Sequence, residues 1–356
     1  IFFSKPNRAS GSSRRVGSRR GPSRSARHDP AVWSNMAAQR EQAHTAISLY
    51  WEHNLGGGGV VSANDRALWQ RGLEAQVTGY GTQLLANALA SLGAQIDAAG
   101  ELRFVVVNPL GHQRTDVADL PYAGPQPVQV VDRTTATVIP SQVILKDGAT
   151  FVRILATDVP AAGYKVYTVQ AGDPPVAPNT ATLDIHLFES DRFRISMSGE
   201  GVIPSLRDKL ANRSYAGTVN GRIMNDLGAY TAPGGIKYLV NNGPISATVQ
   251  TEGVIPLGHD VRVTLYKDLH RVDVEDRITD NFSSTLDWAY GVQIVNATVR
   301  HEELGAILTA KPSSAGGHYA TQNARYDQLT LGHFADISNA QYGLTLSTSC
   351  PAFMKL

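Results

Sequence analysis

The run His301-Glu302-Glu303 sets an imidazole beside two carboxylates, the side chains from which zinc sites and proton relays are built. A helical H-E-x-x-H zinc site needs a second histidine four residues after the first, and none follows here. The remaining histidines, among them His112, His186, His259, His270, His318 and His333, are scattered, and each reads as structural or solvent-facing. Glycoside hydrolysis needs two carboxyl groups about 5–5.5 Å apart, or wider for inversion. The 31 Asp and Glu residues are spread over the chain with no pair standing out, so no catalytic residue is assigned. No G-x-S-x-G elbow or dinucleotide fingerprint is present, and the glycine run 56–59 lacks the Gly-Lys-Ser/Thr of a phosphate loop, so no cofactor-binding residue is assigned either. The one cysteine, Cys350, excludes an internal disulfide and any multi-cysteine metal site, and reads as an inert core residue. Trp51, Trp69, Trp288 and the 13 tyrosines could stack on sugars, although core and rim packing is their default role.

Length and composition bound what those residues serve. A chain of 356 residues is long enough for two or three domains, and 42% hydrophobic with 18% charged residues fits a soluble globular protein. No run approaches the ~20 apolar residues of a membrane helix, so no membrane partner and a cytoplasmic location are expected. Residues 1–30 carry eight Lys/Arg against one Asp, a net +7, while the rest carries 24 basic against 30 acidic residues, a net −6. The first thirty residues are Ser-, Arg- and Gly-rich with almost nothing apolar after Phe3, so they read as a disordered basic tail. Arg pairs there could hold nucleic acid nonspecifically, but an uninformative tail is the simpler reading and nucleic-acid binding ranks last.

The elements that must position any site divide into helix, then strand. Over 31–54, Trp33, Met36, Ala43, Ile47 and Tyr50 recur near one face of a helix, with Asp29-Pro30 as cap and first turn. A second helix starts at Ser62, with Asp65 completing a capping box. It continues through Leu68, Leu73, Val77, Tyr80, Leu84, Leu89, Leu92 and Ile96, ending near Gly93 and Gly100. Two antiparallel helices joined by the glycine-rich loop make up an α-helical segment, 31–100. After Glu101 turn signals recur every eight to twelve residues, from Asn108-Pro109 to Gly316-Gly317, and point to sandwich or barrel architecture. Val261, Val263 and Leu265 face one way and Arg262 and Thr264 the other, and Val272 and Val274 repeat the alternation against Arg271, Asp273 and Glu275. The Pro/Ala-rich stretch 172–180 separates a small β domain, 101–171, from a large β-sandwich, 182–356. The fold class is mainly β, a short α-helical hairpin followed by a small β domain and a large antiparallel β-sandwich of galactose-mutarotase-like type.

Several stretches in this order resemble α-mannosidases of glycoside hydrolase family 38. They are FVVVNPLGHQRTDVADLP at 104–121, VPAAGYKVYTV at 159–169, the strand pair within 244–274, and LYWEHNLGGGG at 49–59. The text after 184 continues the resemblance, with Ile203, Ser205, Leu206, Asp208 and Lys209 matching the family's hairpin at the opening of its large sandwich. The resemblance covers roughly 40–356 and implies a zinc-dependent hydrolase of α-mannosides, with His53 at the end of the first helix supplying one zinc ligand. One His and two Asp would complete that site from a domain this chain lacks, so both ends are expected to be cut, the sandwich to be incomplete at its C-terminal end and the chain alone to be inactive. Two other readings stay open: a non-catalytic carbohydrate-binding sandwich, and an aldose-epimerase-like enzyme in which His186 or His333 pairs with a Glu on one sheet face.

Overall fold

The alternations and caps become elements in a computed structural model that describes residues 36–50, 61–96, 100–146, 148–185, 187–228, 234–284, 286–310, 328–348 and 352–355. His53, His186, His318, Cys350, Trp33, Trp51, the glycine run 56–59 and the basic tail lie outside the described residues. The chain divides into two units, Ile1–Val176 and Ala177–Leu356.

Two helices open the first unit, α1 (Ala37–Tyr50) and α2 (Ala63–Ala94). Ser62 caps α2 as its capping box requires, its Oγ accepting the Asp65 N–H at 3.1 Å and donating to Asp65 Oδ2 at 2.7 Å. The buried stripe of the first helix is narrower than its periodicity suggests. Met36, Ala43 and Ala46 are buried, whereas Ile47 and Tyr50 are exposed. The buried positions of α1 itself are alanines, which let two helices approach closely, and the larger apolar residues are left on the flank. On α2, Leu73 and Leu89 are buried while Leu68 and Trp69 face outwards.

Seven strands follow: β1 (Arg103–Asn108), β2 (Arg114–Pro121), β3 (Val128–Asp132), β4 (Thr137–Ile139), β5 (Ser141–Lys146), β6 (Ala149–Val159) and β7 (Gly163–Ala171). They form two antiparallel sheets, ordered β1-β7-β3-β4 and β2-β6-β5. Phe104, Val130, Tyr167 and Val169 from one sheet and Ala118, Leu120, Val152 and Ile154 from the other make their common core. Burying each of the larger apolar side chains contributes about 1.5–3 kcal/mol. The turn at Asn108-Pro109-Leu110-Gly111 carries the chain from one sheet into the other, because β1 pairs with β7 and β2 with β6. Asn108 is buried and locks that turn. Its Nδ2 donates to the carbonyls of His112 at 2.7 Å, Val159 at 3.1 Å and Pro160 at 3.0 Å, and its Oδ1 accepts Leu110 N–H at 3.1 Å. The β1–β2 turn is thereby tied to the β6–β7 turn.

Two charge pairs brace this unit. Asp119 and Arg153 stand directly opposite each other on β2 and β6 and bond in two-pronged fashion, at 2.6 and 2.9 Å. Lys165 Nζ reaches Asp132 Oδ2 at 2.9 Å between two buried side chains on the inner face. Burial pushes the Asp132 carboxyl up, and Lys165 together with the Thr134 N–H more than offsets it, leaving it below its ordinary value. That pair therefore stabilises above the ordinary carboxylate range and is lost as pH falls through the lowered value.

The second unit holds β8 (Ala181–Leu183), β9 (Leu187–Ser190), β10 (Phe193–Ser196), β11 (Ser205–Asp208), β12 (Arg213–Ser214), β13 (Met224–Asp226), β14 (Ile236–Asn242), β15 (Ser246–Gly253) and β16 (His259–Tyr266). It continues with β17 (Val272–Ile278), β18 (Ala289–Tyr290), β19 (Thr298–Glu303), β20 (Ala306–Thr309), β21 (Gln328–Leu331), β22 (Phe334–Ser338), β23 (Gly343–Ser347) and β24 (Ala352–Lys355). Its sheets run β12-β11-β10-β9-β8, β14-β15-β16-β17, β20-β19-β22-β23, β13-β18 and β21-β24. The hairpin residue Asp208 is structural: Oδ1 accepts Leu210 and Ala211 N–H at 3.0 Å each, and Arg192 donates to Oδ2 at 2.7 Å. Strand ladders among the described residues are antiparallel throughout, so the molecule is mainly β with a helical hairpin.

We expect Lys165→Met to cost about 3–5 kcal/mol by stranding Asp132 in the core, and Asn108→Ala about 2–3 kcal/mol through its lost turn bonds. Urea unfolding followed by tryptophan fluorescence checks both. A loss below about 1 kcal/mol for either change would contradict the roles given to these residues.

Candidate functional site

Register on the β14-β15-β16-β17 sheet of the second unit decides which side chains turn inward. Val249, Val263 and Val274 form one row across β15, β16 and β17, and Ala247, Leu265 and Val272 form the next. In the opposite direction the same inner face changes character. Thr251, Val261 and Asp276 make one row and Gly253, His259 and Ile278 the last, so a carboxyl and an imidazole join the face that carries the core.

Three further elements close over that polar end. The turn 198–203 brings Glu200 and Gly201, β13 brings Asn225, and β18 brings Tyr290. Asn225 Nδ2 donates to Asp276 Oδ1 at 2.9 Å and to the Gly201 carbonyl at 3.2 Å, and the Tyr290 hydroxyl donates to Asp276 Oδ2 at 3.3 Å. Gly201 adopts φ +79°, and a Cβ there would strike Val261 and sit 3.1 Å from Thr251 Oγ1, so the turn is reserved for glycine. Glu200, 1% exposed, accepts the N–H groups of Val254 at 2.8 Å and Ile255 at 3.0 Å on Oε2. Glu200 Oε1, Asn225 Oδ1 and Thr251 Oγ1 are buried without a hydrogen-bond partner among the described residues. Unsatisfied buried polar atoms gathered around one turn are costly, and three so close together mark this end of the core as the candidate site.

Electrostatics set Asp276 apart from the acids elsewhere. Burial pushes the Asp276 carboxyl above its ordinary value, outweighing its bonds from Asn225 and Tyr290 and the attraction of His259. Burial also pushes the Tyr290 phenol up, and the facing Asp276 adds to the shift. Asp276 thus favours its protonated form more than an exposed acid does, whereas Asp132 and Asp208 lie against Lys165 and Arg192.

A second acid–imidazole pair lies on β19. His333 Nδ1 meets Glu302 Oε2 at 2.8 Å, with the histidine side chain 83% exposed and the carboxylate 11%. The hydrogen bond from His333 and the N–H of Gly305 hold Glu302 below its ordinary value. A Cβ at Gly332 would drive into the Glu302 carboxylate, so the approach depends on that glycine. His301, the next residue along the strand, points the other way and places Nδ1 3.0 Å from the Thr330 carbonyl. Of the two histidines expected to pair with Glu, His333 does so and His186 lies outside the described residues. The run His301-Glu302-Glu303 is split between two faces of a strand. His112 and His270 are exposed.

The expected zinc ligand, His53, lies outside the described residues. Among those described, no three His, Cys, Asp or Glu side chains gather to hold a metal, so they do not by themselves furnish a zinc site.

Glu200, Asn225, His259 and Asp276 escaped the sequence reading as a group. One signal was legible: continuing the inward alternation of Val272 and Val274 by two residues reaches Asp276, an acid in an apolar row. Another is Glu200 itself, a carboxylate flanked by Gly199 and Gly201.

No protein-family model matches this sequence, and no curated protein matches it. Solved structures do share its fold. An α-mannosidase from Enterococcus faecalis V583 superposes with a TM-score of 0.62 at 13% identity, over 87% of this chain and 44% of its own. A glycosyl hydrolase family 38 protein, also from Enterococcus faecalis, gives 0.61 at 12% identity, over 85% of this chain and 45% of its own. The chain therefore spans less than half the length of these two structures.

Because the folded state raises the Asp276 value, its favourable contribution is complete below the unfolded carboxylate range and is lost as pH rises. Asp276→Asn should raise the melting temperature at about pH 7.5, with the gain shrinking as pH falls towards the ordinary carboxylate range. Thermal unfolding of both proteins across that range checks it, and an equal shift at every pH would refute the assignment.

Proposed function

We propose that this chain supplies the helical and β-sandwich regions of an α-mannosidase-type glycoside hydrolase, with α-mannosides as the substrate class. The observation that carries this reading is the shared fold with an α-mannosidase over 87% of the chain, at 44% of that enzyme's length. In this reading the nucleophile and the acid are supplied outside these 356 residues. Supporting that division, three shielded acids of the described residues are tied to cationic structural partners, the half-buried Asp119 to Arg153 and the buried Asp132 and Asp208 to Lys165 and Arg192. His53 contributes at most one zinc ligand, and zinc, when held by the full set, would bind sugar hydroxyls. The reading also keeps the protein in the cytoplasm; no helix among the described residues is long and apolar enough to cross a membrane.

A second reading draws on the contact between His333 and Glu302. An imidazole oriented by a carboxylate, with its other nitrogen towards solvent, is built to move a proton. Acting on a free sugar it would take the C1 hydroxyl proton while water protonates the ring oxygen, so that the C1–O5 bond opens and the resulting aldehyde recloses as either anomer, the reaction of aldose epimerases.

The purified 356-residue chain, with zinc added, is expected to show no turnover of an aryl α-mannoside. Measurable turnover that disappears on chelation would place the nucleophile within this chain and overturn the proposed division of labour. In parallel, polarimetry of fresh α-glucose or α-galactose distinguishes the readings. Acceleration abolished by His333→Ala favours the epimerase-like activity, and saturable mannose binding without either reaction favours a carbohydrate-binding sandwich.

A further inference from the structure

His259 is 1% exposed, and both of its ring nitrogens face backbone carbonyl oxygens. Nδ1 lies 2.8 Å from the Leu257 carbonyl and Nε2 lies 2.9 Å from the Glu200 carbonyl. A carbonyl oxygen only accepts. A neutral imidazole carries one N–H and one lone pair, so it satisfies one of these oxygens and turns a lone pair on the other; an imidazolium donates to both. The surroundings supply the countercharge. A Cβ built on Gly253 would collide with the His259 ring and lie 2.8 Å from Glu200 Oε2, so ring and carboxylate crowd against the same face of that glycine.

The two groups grip the same turn. The Glu200 carboxylate accepts the N–H of Val254 and Ile255 at the start of the 254–258 connection, and the ring holds the carbonyl of Leu257 near its end. The ring also holds residue 200's own carbonyl, so acid, imidazole and turn close a loop of bonds. Other titratable groups in the surroundings are acidic or phenolic. Asp276 faces the ring from β17, with Tyr290 behind it, and Asp280 accepts the Gly258 N–H at 2.8 Å. Asp260 points to the opposite face of β16, between Glu252 and Arg277.

We propose that His259 and Glu200 form a proton-operated latch: with both ring nitrogens protonated the ring ties the Leu257 carbonyl of the 254–258 turn to the Glu200 carbonyl of the 198–203 turn, and loss of one proton gives up one of those two bonds, leaving the turn held by the Glu200 carboxylate alone at its start. The loosened turn carries Val254 and Ile255, whose apolar side chains are already exposed at 61% and 37%. Opening therefore mobilises an apolar tip beside the polar end of the sandwich core, and it does so as pH rises.

The test uses the whole chain uniformly labelled with ¹⁵N, in which His259 is one of ten histidines. At about pH 6 the His259 ring should show two N–H nitrogens, and raising the pH through its deprotonation should speed amide exchange at Val254 and Ile255 about tenfold beyond the intrinsic increase. His259→Gln should exchange fast at those two amides at every pH. A ring with a single N–H at about pH 6, or exchange at 254 and 255 that follows only the intrinsic rate, overturns the latch. If His259→Gln fails to fold, backbone assignment of the wild-type protein still delivers both deciding readouts.

Discussion

Everything distinctive about the second unit depends on the register of β16 between its two neighbours. Val261, Val263 and Leu265 are wholly buried, and a strand alternates with period two, so their burial dictates that His259 is buried as well. A slip of one residue would turn Arg262 and Thr264 into the core. With that register fixed, β15 must present Thr251 and Gly253 inward and β17 must present Asp276. The polar end of the core is a consequence of extending an apolar alternation two residues too far, and the turn 198–203, Asn225 and Tyr290 are the devices that make it tolerable.

Buried charge is handled in two ways. In the first, Lys165 meets Asp132 and Arg153 meets Asp119, opposite charges in direct contact, and for Asp132 this holds the carboxyl below its ordinary value and makes its loss an acid-side effect. In the second, Asp276 meets an amide and a phenol, so burial prevails and the carboxyl tends to keep its proton. The first arrangement braces a scaffold. The second leaves protons able to move, which is the physical requirement for a site that responds to its surroundings.

Much of the architecture was readable from local text. The capping box at Ser62, the inward row of Val261, Val263 and Leu265, the Asn108-Pro109 turn and the mainly β composition after residue 101 are matters of neighbouring residues and of periodicity. The candidate sites were less legible. His333 stood as one of two histidines that a glutamate could partner, yet its neighbour Glu302 is 31 positions away. Glu200 and His259 are 59 positions apart, and Asn225 and Asp276 are 51. The stripe of the first helix was overread for a related reason: periodicity shows that Ile47 and Tyr50 lie near one face, but only the close approach of α2 at Ala43 and Ala46 decides how wide that face is.

By itself the sequence determined which residues turn the same way, where helices begin and where the chain must turn, because those properties follow from side-chain period, capping chemistry and backbone restriction within a few residues. Tertiary structure decided which strand lies beside which. β1 and β2 are consecutive and joined by a short turn, yet they pair with β7 and β6 in separate sheets. Period-two alternation names a face and never a neighbour. The neighbours, and with them the contacts of Glu302 with His333 and of Glu200 with His259, are set by how whole sheets bury their apolar faces against one another.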